Sequence, residues 1–127
     1  MTPQQKIKHL ILLRHDALGM GETSEPIDAE NVDSLYEALD EPWDAINEVR
    51  DSGIETDLSC DNHSRHYECK SVAVPYVDGS WVGFPYWYGG GKHGEPEAID
   101  WIRDAYDLTM TQREETRVVS IFERVPA

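Results

Sequence analysis

The stretch CDNHSRHYEC places Cys60, His63, His66 and Cys69 at a constant spacing of three, and zinc accepts all four side chains. Tetrahedral zinc needs its ligands to converge. On a helix each step of three drifts by about 60°, which turns the first and last ligands to opposite sides. On a strand a step of three alternates faces. Zinc motifs generally place two short ligand pairs on separate elements, so only an irregular wrapping loop would gather these four. Solvated or capping polar residues are the preferred reading. A related set, His63, His66, Glu68 and His93, would suit a small metal-dependent enzyme or ligand-binding domain, which is the alternative function. Cys60, Asp61, His63 and Ser64 carry nucleophile chemistry but are sequence neighbours, whereas a fold assembles such constellations from separate elements.

A second candidate is YGGGKHGEPEAIDW. It joins a Gly-rich turn, Lys92 and His93 to a helix N-terminus, parts that can hold an anion. The P-loop pattern is missing, because neither the four-residue gap between glycines nor the Ser or Thr after the Lys is present. Glu95 and Glu97 would also repel a phosphate. A tight connection from strand to helix is the simpler reading. No cofactor is expected.

The strongest signal is charge. The 127 residues are 39% hydrophobic and 28% charged with four Trp, the composition of one folded domain, and the net charge is −14. Residues 15–61 hold fifteen acids and one base, Arg50, so this segment carries the whole net charge while the remainder balances to zero. Such asymmetry points to a cationic partner and away from direct contact with nucleic acid. No apolar run is long enough to cross a membrane. Leu10-Ile11-Leu12-Leu13 falls short of a signal peptide's apolar core of roughly 7–15 residues. The expectation is a cytoplasmic protein of a host cell, with Cys60 and Cys69 as free thiols.

The elements that must position these residues follow from periodicity. Thr2-Pro3-Gln4-Gln5 is a helix start, with a hydroxyl N-cap, Pro at the first helical position and Gln three residues after the Thr. Ile7, Leu10 and Ile11 carry that helix to about Leu18. In VDSLYEALDEPWDAINEVRD, the residues Val32, Leu35, Leu39, Trp43, Ile46 and Val49 recur at steps of three or four. Asp33, Glu37, Asp40, Asp44, Glu48 and Asp51 do the same on the opposite side. Both stripes keep phase across Pro42, which predicts one kinked helix rather than two abutting ones. From Arg65 the period becomes two. Asp78-Gly79 predicts a two-residue hairpin turn that pairs Tyr76 with Trp81, Val74 with Gly83 and Lys70 with Trp87. Pro85 fits an edge or a bulge. A helix from Pro96 through Tyr106 and a last strand in TRVVSIFERV (116–125) complete the order α-α-β-β-α-β. The fold class is α+β, a single domain over 1–127 with an antiparallel sheet of about three strands.

The second half, SRHYECKSVAVPYVDGSWVGFPYWYGGGKHGEPEAIDWIRDAYDL, resembles a type of small protein carried by phages, prophages and other bacterial mobile elements. The resemblance spans roughly residues 64–108 and is most specific in YWYGGGKHGEPEAIDW. It brings no catalytic residue with it. It implies a setting in which small accessory proteins block host defence.

Like charges at steps of four destabilise a helix by about 0.2–0.5 kcal/mol per pair, so a merely solubilising face would gain by mixing in Lys. The expected function is therefore a non-enzymatic, phage-type inhibitor, a coarse nucleic-acid mimic of the anti-CRISPR kind. Its Asp33, Glu37, Asp40, Asp44, Glu48 and Asp51 would occupy the basic nucleic-acid-binding surface of a host nuclease or CRISPR effector complex. Carboxylates would recur roughly every 5 Å, from a helical rise of ~1.5 Å per residue, against about 3.4 Å between phosphates.

Overall fold

A computed structural model describes residues 1–19, 26–91, 94–112, 120 and 122–123. Helix α1 spans Pro3–Ala17. Its start is the expected capping box: the Gln5 backbone N–H donates to Thr2 Oγ1 at 3.1 Å, and the Thr2 N–H donates to Gln5 Oε1 at 2.9 Å. Ile7, Ile11 and Leu12 recur on one side of α1 and are fully buried.

The segment 32–51 is two helices, α2 over Val32–Glu37 and α3 over Trp43–Asp51, which corrects the single kinked helix. Pro42 donates no N–H and keeps the residue before it out of the right-handed helical region. Glu41 lies outside that region at φ 49°, the one non-glycine with positive φ among the described residues. The break turns the two halves of the apolar stripe independently. Val32, Ala45, Ile46 and Val49 are buried, whereas Trp43 is 67% exposed.

Among the described residues the strands form one antiparallel sheet of four, in the order β1 (Ile54–Glu55), β2 (Glu68–Pro75), β3 (Trp81–Tyr88) and β4 (Tyr106–Leu108). The α+β class stands, with a short first strand added. The β2–β3 hairpin forms one residue away from the expected register, pairing Pro75 with Trp81, Val74 with Val82 and Lys70 with Tyr86. The turn is longer than two residues. Gly79 N–H donates to the Tyr76 carbonyl at 3.0 Å, and Tyr76 N–H donates to the Ser80 carbonyl at 2.8 Å. Gly79 sits at φ 89°, the left-handed position that closes a three-residue loop of this kind. Pro85 lies beyond the pairing of β4, which reaches only Trp81, Val82 and Gly83, so β3 has a single neighbour where the proline lacks its donor.

Val72, Val74, Val82 and Phe84 line one face of the hairpin and join Ile7 and Ile11 of α1 and Ala45, Ile46 and Val49 of α3 in the core. The segment after Pro96 is not the expected helix. It makes short 3₁₀ turns at Pro96–Ala98 and Ile102–Asp104. A continuous helix would gather Ile99, Ile102 and Tyr106 on one side and turn Trp101 away from it. The observed turns bury Trp101 to 2% exposure, with its ring centroid 4.5 Å from that of Phe84. Burying the largest side chain prevails over helical continuity. Most of the strand expected at 116–125 lies outside the described residues, and the sheet's fourth strand comes instead from Tyr106–Leu108.

On the second face of the sheet, the Tyr106 ring lies over Gly83 and its hydroxyl hydrogen-bonds to Ser71. A Cβ on Gly83 would collide with that ring. Gly83→Ala is therefore expected to displace β4 and to destabilise the protein by about 1–3 kcal/mol, the usual cost of overpacking. Urea denaturation checks the size, and loss of Gly83–Tyr106 cross-strand NOEs checks the cause.

Candidate functional site

The six carboxylates predicted as one stripe separate into two groups once α1 packs against α2 and α3. Asp33 turns toward α1, where Lys8 Nζ donates to Oδ1 at 2.9 Å and Gln5 Nε2 donates to Oδ2 at 3.1 Å. These hydrogen bonds, Lys8 first, hold its carboxyl below the ordinary 3.8. Glu48 faces Arg14 at 3.9 Å, an exposed pair that contributes little. Asp51 accepts from the Tyr86 hydroxyl at 3.2 Å and lies 3.4 Å from Arg50 Nη1. Glu37, Asp40 and Asp44 are exposed, and their carboxylates have no hydrogen bond or ion pair among the described residues.

Arg50, the single base of the acidic segment, is only 5% exposed. Its guanidinium carbon stacks 4.0 Å from the centroid of Tyr86, and Nη2 donates to the Trp87 carbonyl. The ring face and the two terminal nitrogens are thus occupied, while the buried Nε has no hydrogen-bond partner among the described residues. Its charge is therefore held inside the fold, and residues 32–51 present no base of their own at the surface.

The connection between α2 and α3 is held in place by His15 of α1. This ring is 2% exposed, and its Nε2–H donates to the Asp40 backbone carbonyl at 2.8 Å. The anchor uses the main chain and leaves the Asp40 carboxylate free to face water. Glu41 adds a further exposed acid to this group. Periodicity excluded Glu41 from the stripe, although the Glu41-Pro42 dipeptide itself marked where the helix would break.

The metal and nucleophile candidates fare differently. Cys60 and Cys69 form a disulfide with their Cα atoms 6.1 Å apart, which corrects the expectation of free thiols. The loop after β1 curls back along the start of β2 and brings the two residues together. A bonded pair supplies neither thiolate ligands nor a nucleophile, so the set Cys60, His63, His66 and Cys69 is not a zinc site in this structure. His63, His66 and Glu68 are exposed, and His93 lies outside the described residues, as does Lys92. Among the described residues no three His, Cys, Asp or Glu side chains are grouped to hold a metal ion. In the glycine loop, Gly89, Gly90 and Gly91 all have positive φ, and the Tyr67 ring covers Gly90.

Two outcomes are expected. Because folding lowers the Asp33 pKa, its contribution to stability is fully present above 3.8 and is lost as pH falls through the depressed folded value. Asp33→Asn should flatten the acid limb of the stability curve, as measured by urea denaturation at successive pH values. Intact mass without reductant should be lower by two hydrogens than after reduction. Opening the short loop closed by the disulfide should cost roughly 2–3 kcal/mol.

No helix among the described residues is long and apolar enough to cross a membrane. No protein-family model matches this chain, and neither does any curated protein or any solved structure.

Proposed function

We propose that this protein is a non-enzymatic inhibitor whose acidic surface binds the basic, nucleic-acid-binding surface of another protein. The observation that carries this reading is the group Glu37, Asp40, Glu41 and Asp44, whose carboxylates are exposed and unpaired among the described residues, in a segment whose own base, Arg50, is buried. Asp33, Glu48 and Asp51 are drawn into contacts with α1, Arg50 and Tyr86 and act mainly in holding the surface together. Clustered acids that serve only solubility would gain from interspersed Lys, whereas a surface awaiting Arg and Lys gains from uniform sign. The resemblance of residues 64–108 to small proteins of phages and other mobile elements supports a host nuclease or CRISPR effector complex as the partner.

Changing Glu37, Asp40 and Asp44 together to Lys turns favourable contacts into like-charge ones, which cost several kcal/mol across an interface. The triple variant should lose capture of its partner from host lysate while circular dichroism stays native-like, because all three side chains face water. The captured partner should be released by added double-stranded DNA and by rising salt, which screens exposed charges over ~10 Å at 0.1 M. Capture that survives the triple change, or that DNA fails to compete, would refute the reading.

A further inference from the structure

We infer that the apolar groove bordered by Trp43 takes an apolar side chain carried on a cationic segment of the partner protein. The inference rests on the acidic-surface reading and adds to it the anchor that gives such a surface specificity. The groove is about 610 Å³ and runs between α1, the connection from α2 to α3, and residues 97–103. Tyr36, Leu39, Trp43, Ile99 and Ile102 form its walls, and Ile46 lies beneath them. This volume falls in the range of about 300–1,000 Å³ usual for binding clefts.

Trp43 is the reason to read the groove as an interface. An indole left 67% exposed is costly, and here it stands next to other partly exposed apolar groups rather than alone on a polar surface. Its exposure follows from the break at Pro42, which takes it off the buried stripe and sets it at the groove edge. Trp is the residue type most enriched among interface anchors.

Charge selects the occupant. Glu37, Glu97 and Asp100 line the groove, and Asp40 and Asp44 adjoin Leu39 and Trp43 in the chain. Of the two bases in the lining, Lys8 is paired with Asp33 at 2.9 Å and Arg103 lies exposed 3.7 Å from Asp104, so the acids at the groove still outnumber its bases. A second copy of this chain would bring another −14, and anionic lipid or nucleic acid would be repelled in the same way. A protein segment with an apolar side chain flanked by Lys or Arg satisfies both the groove and its rim.

The test titrates the isotope-labelled protein with two probes of equal charge, a short amphipathic Leu/Lys peptide and oligo-lysine, followed by NMR. The amphipathic peptide is expected to bind roughly tenfold or more tightly than oligo-lysine, the margin of a central aromatic anchor, and to shift the Trp43 indole resonance. Trp43→Ala should erase that margin and leave oligo-lysine affinity unchanged. Equal binding of the two probes, or a margin that survives Trp43→Ala, overturns the groove inference while leaving the acidic surface standing. Failure of oligo-lysine to bind at low salt overturns the acidic-surface reading itself. A Trp43-dependent dimer of the protein alone, seen by sedimentation, would assign the groove to a second copy and overturn the proposed occupant.

Discussion

Packing of α1 against the rest of the chain is the constraint on which the structure depends. Its apolar side, Ile7, Ile11 and Leu12, lies at 0–1% exposure. At roughly 1.5–3 kcal/mol for each fully buried aliphatic side chain, this side supplies the driving force. Its polar residues then reach one element each. Gln4 donates to the carbonyls of Arg103 and Ala105, Lys6 pairs with Asp107 of β4, and Gln5 and Lys8 hold Asp33. The Nδ1 of His9 meets the Tyr76 hydroxyl at 2.6 Å at the hairpin, and His15 holds the Asp40 carbonyl. Such bonds are worth only about 0.5–1.5 kcal/mol each. Their effect is to fix direction, so that the elements around α1 have one arrangement rather than several of similar burial.

The same packing redistributes charge. Arg50, Lys8 and Arg14 each make an internal or local contact with or within the acidic segment. Acids near α1 are therefore compensated, whereas those on the connection between α2 and α3 are not. Within residues 32–51, what remains uncompensated among the described residues is a short patch beside an apolar groove rather than a stripe along one helix. A patch of this shape matches a compact basic site with an apolar neighbour better than it matches the regular repeat of a phosphate backbone, so the proposed mimicry would be one of sign more than of spacing.

Much of the fold was legible in the sequence because it depends on local chemistry. The Thr2/Gln5 capping box, the end of α1 near Leu18, the existence of the hairpin at Asp78-Gly79 and the α+β class all follow from propensities acting over a few residues. The charge asymmetry between residues 15–61 and the remainder needed nothing but counting. Pro85 at a position with one neighbouring strand follows likewise from its missing donor.

What only the tertiary structure decided are the choices between locally equivalent options. A turn of two or of three residues fits Asp-Gly about equally, and Gly79 at φ 89° selects the longer one and shifts the register by one residue. Pro42 permits a kink or a break, and anchoring of the Asp40 carbonyl by His15 accompanies the break. Residues 96–106 have helical periodicity, yet a pocket for Trp101 against Phe84 outweighs it. The disulfide, the exposure of Trp43 and the burial of Arg50 each depend on which distant segment arrives alongside. Sequence by itself determined that the first half would be acidic and helical. The fold determined which of its acids would still face water, because ion pairing and burial are properties of contacts between elements far apart in the chain.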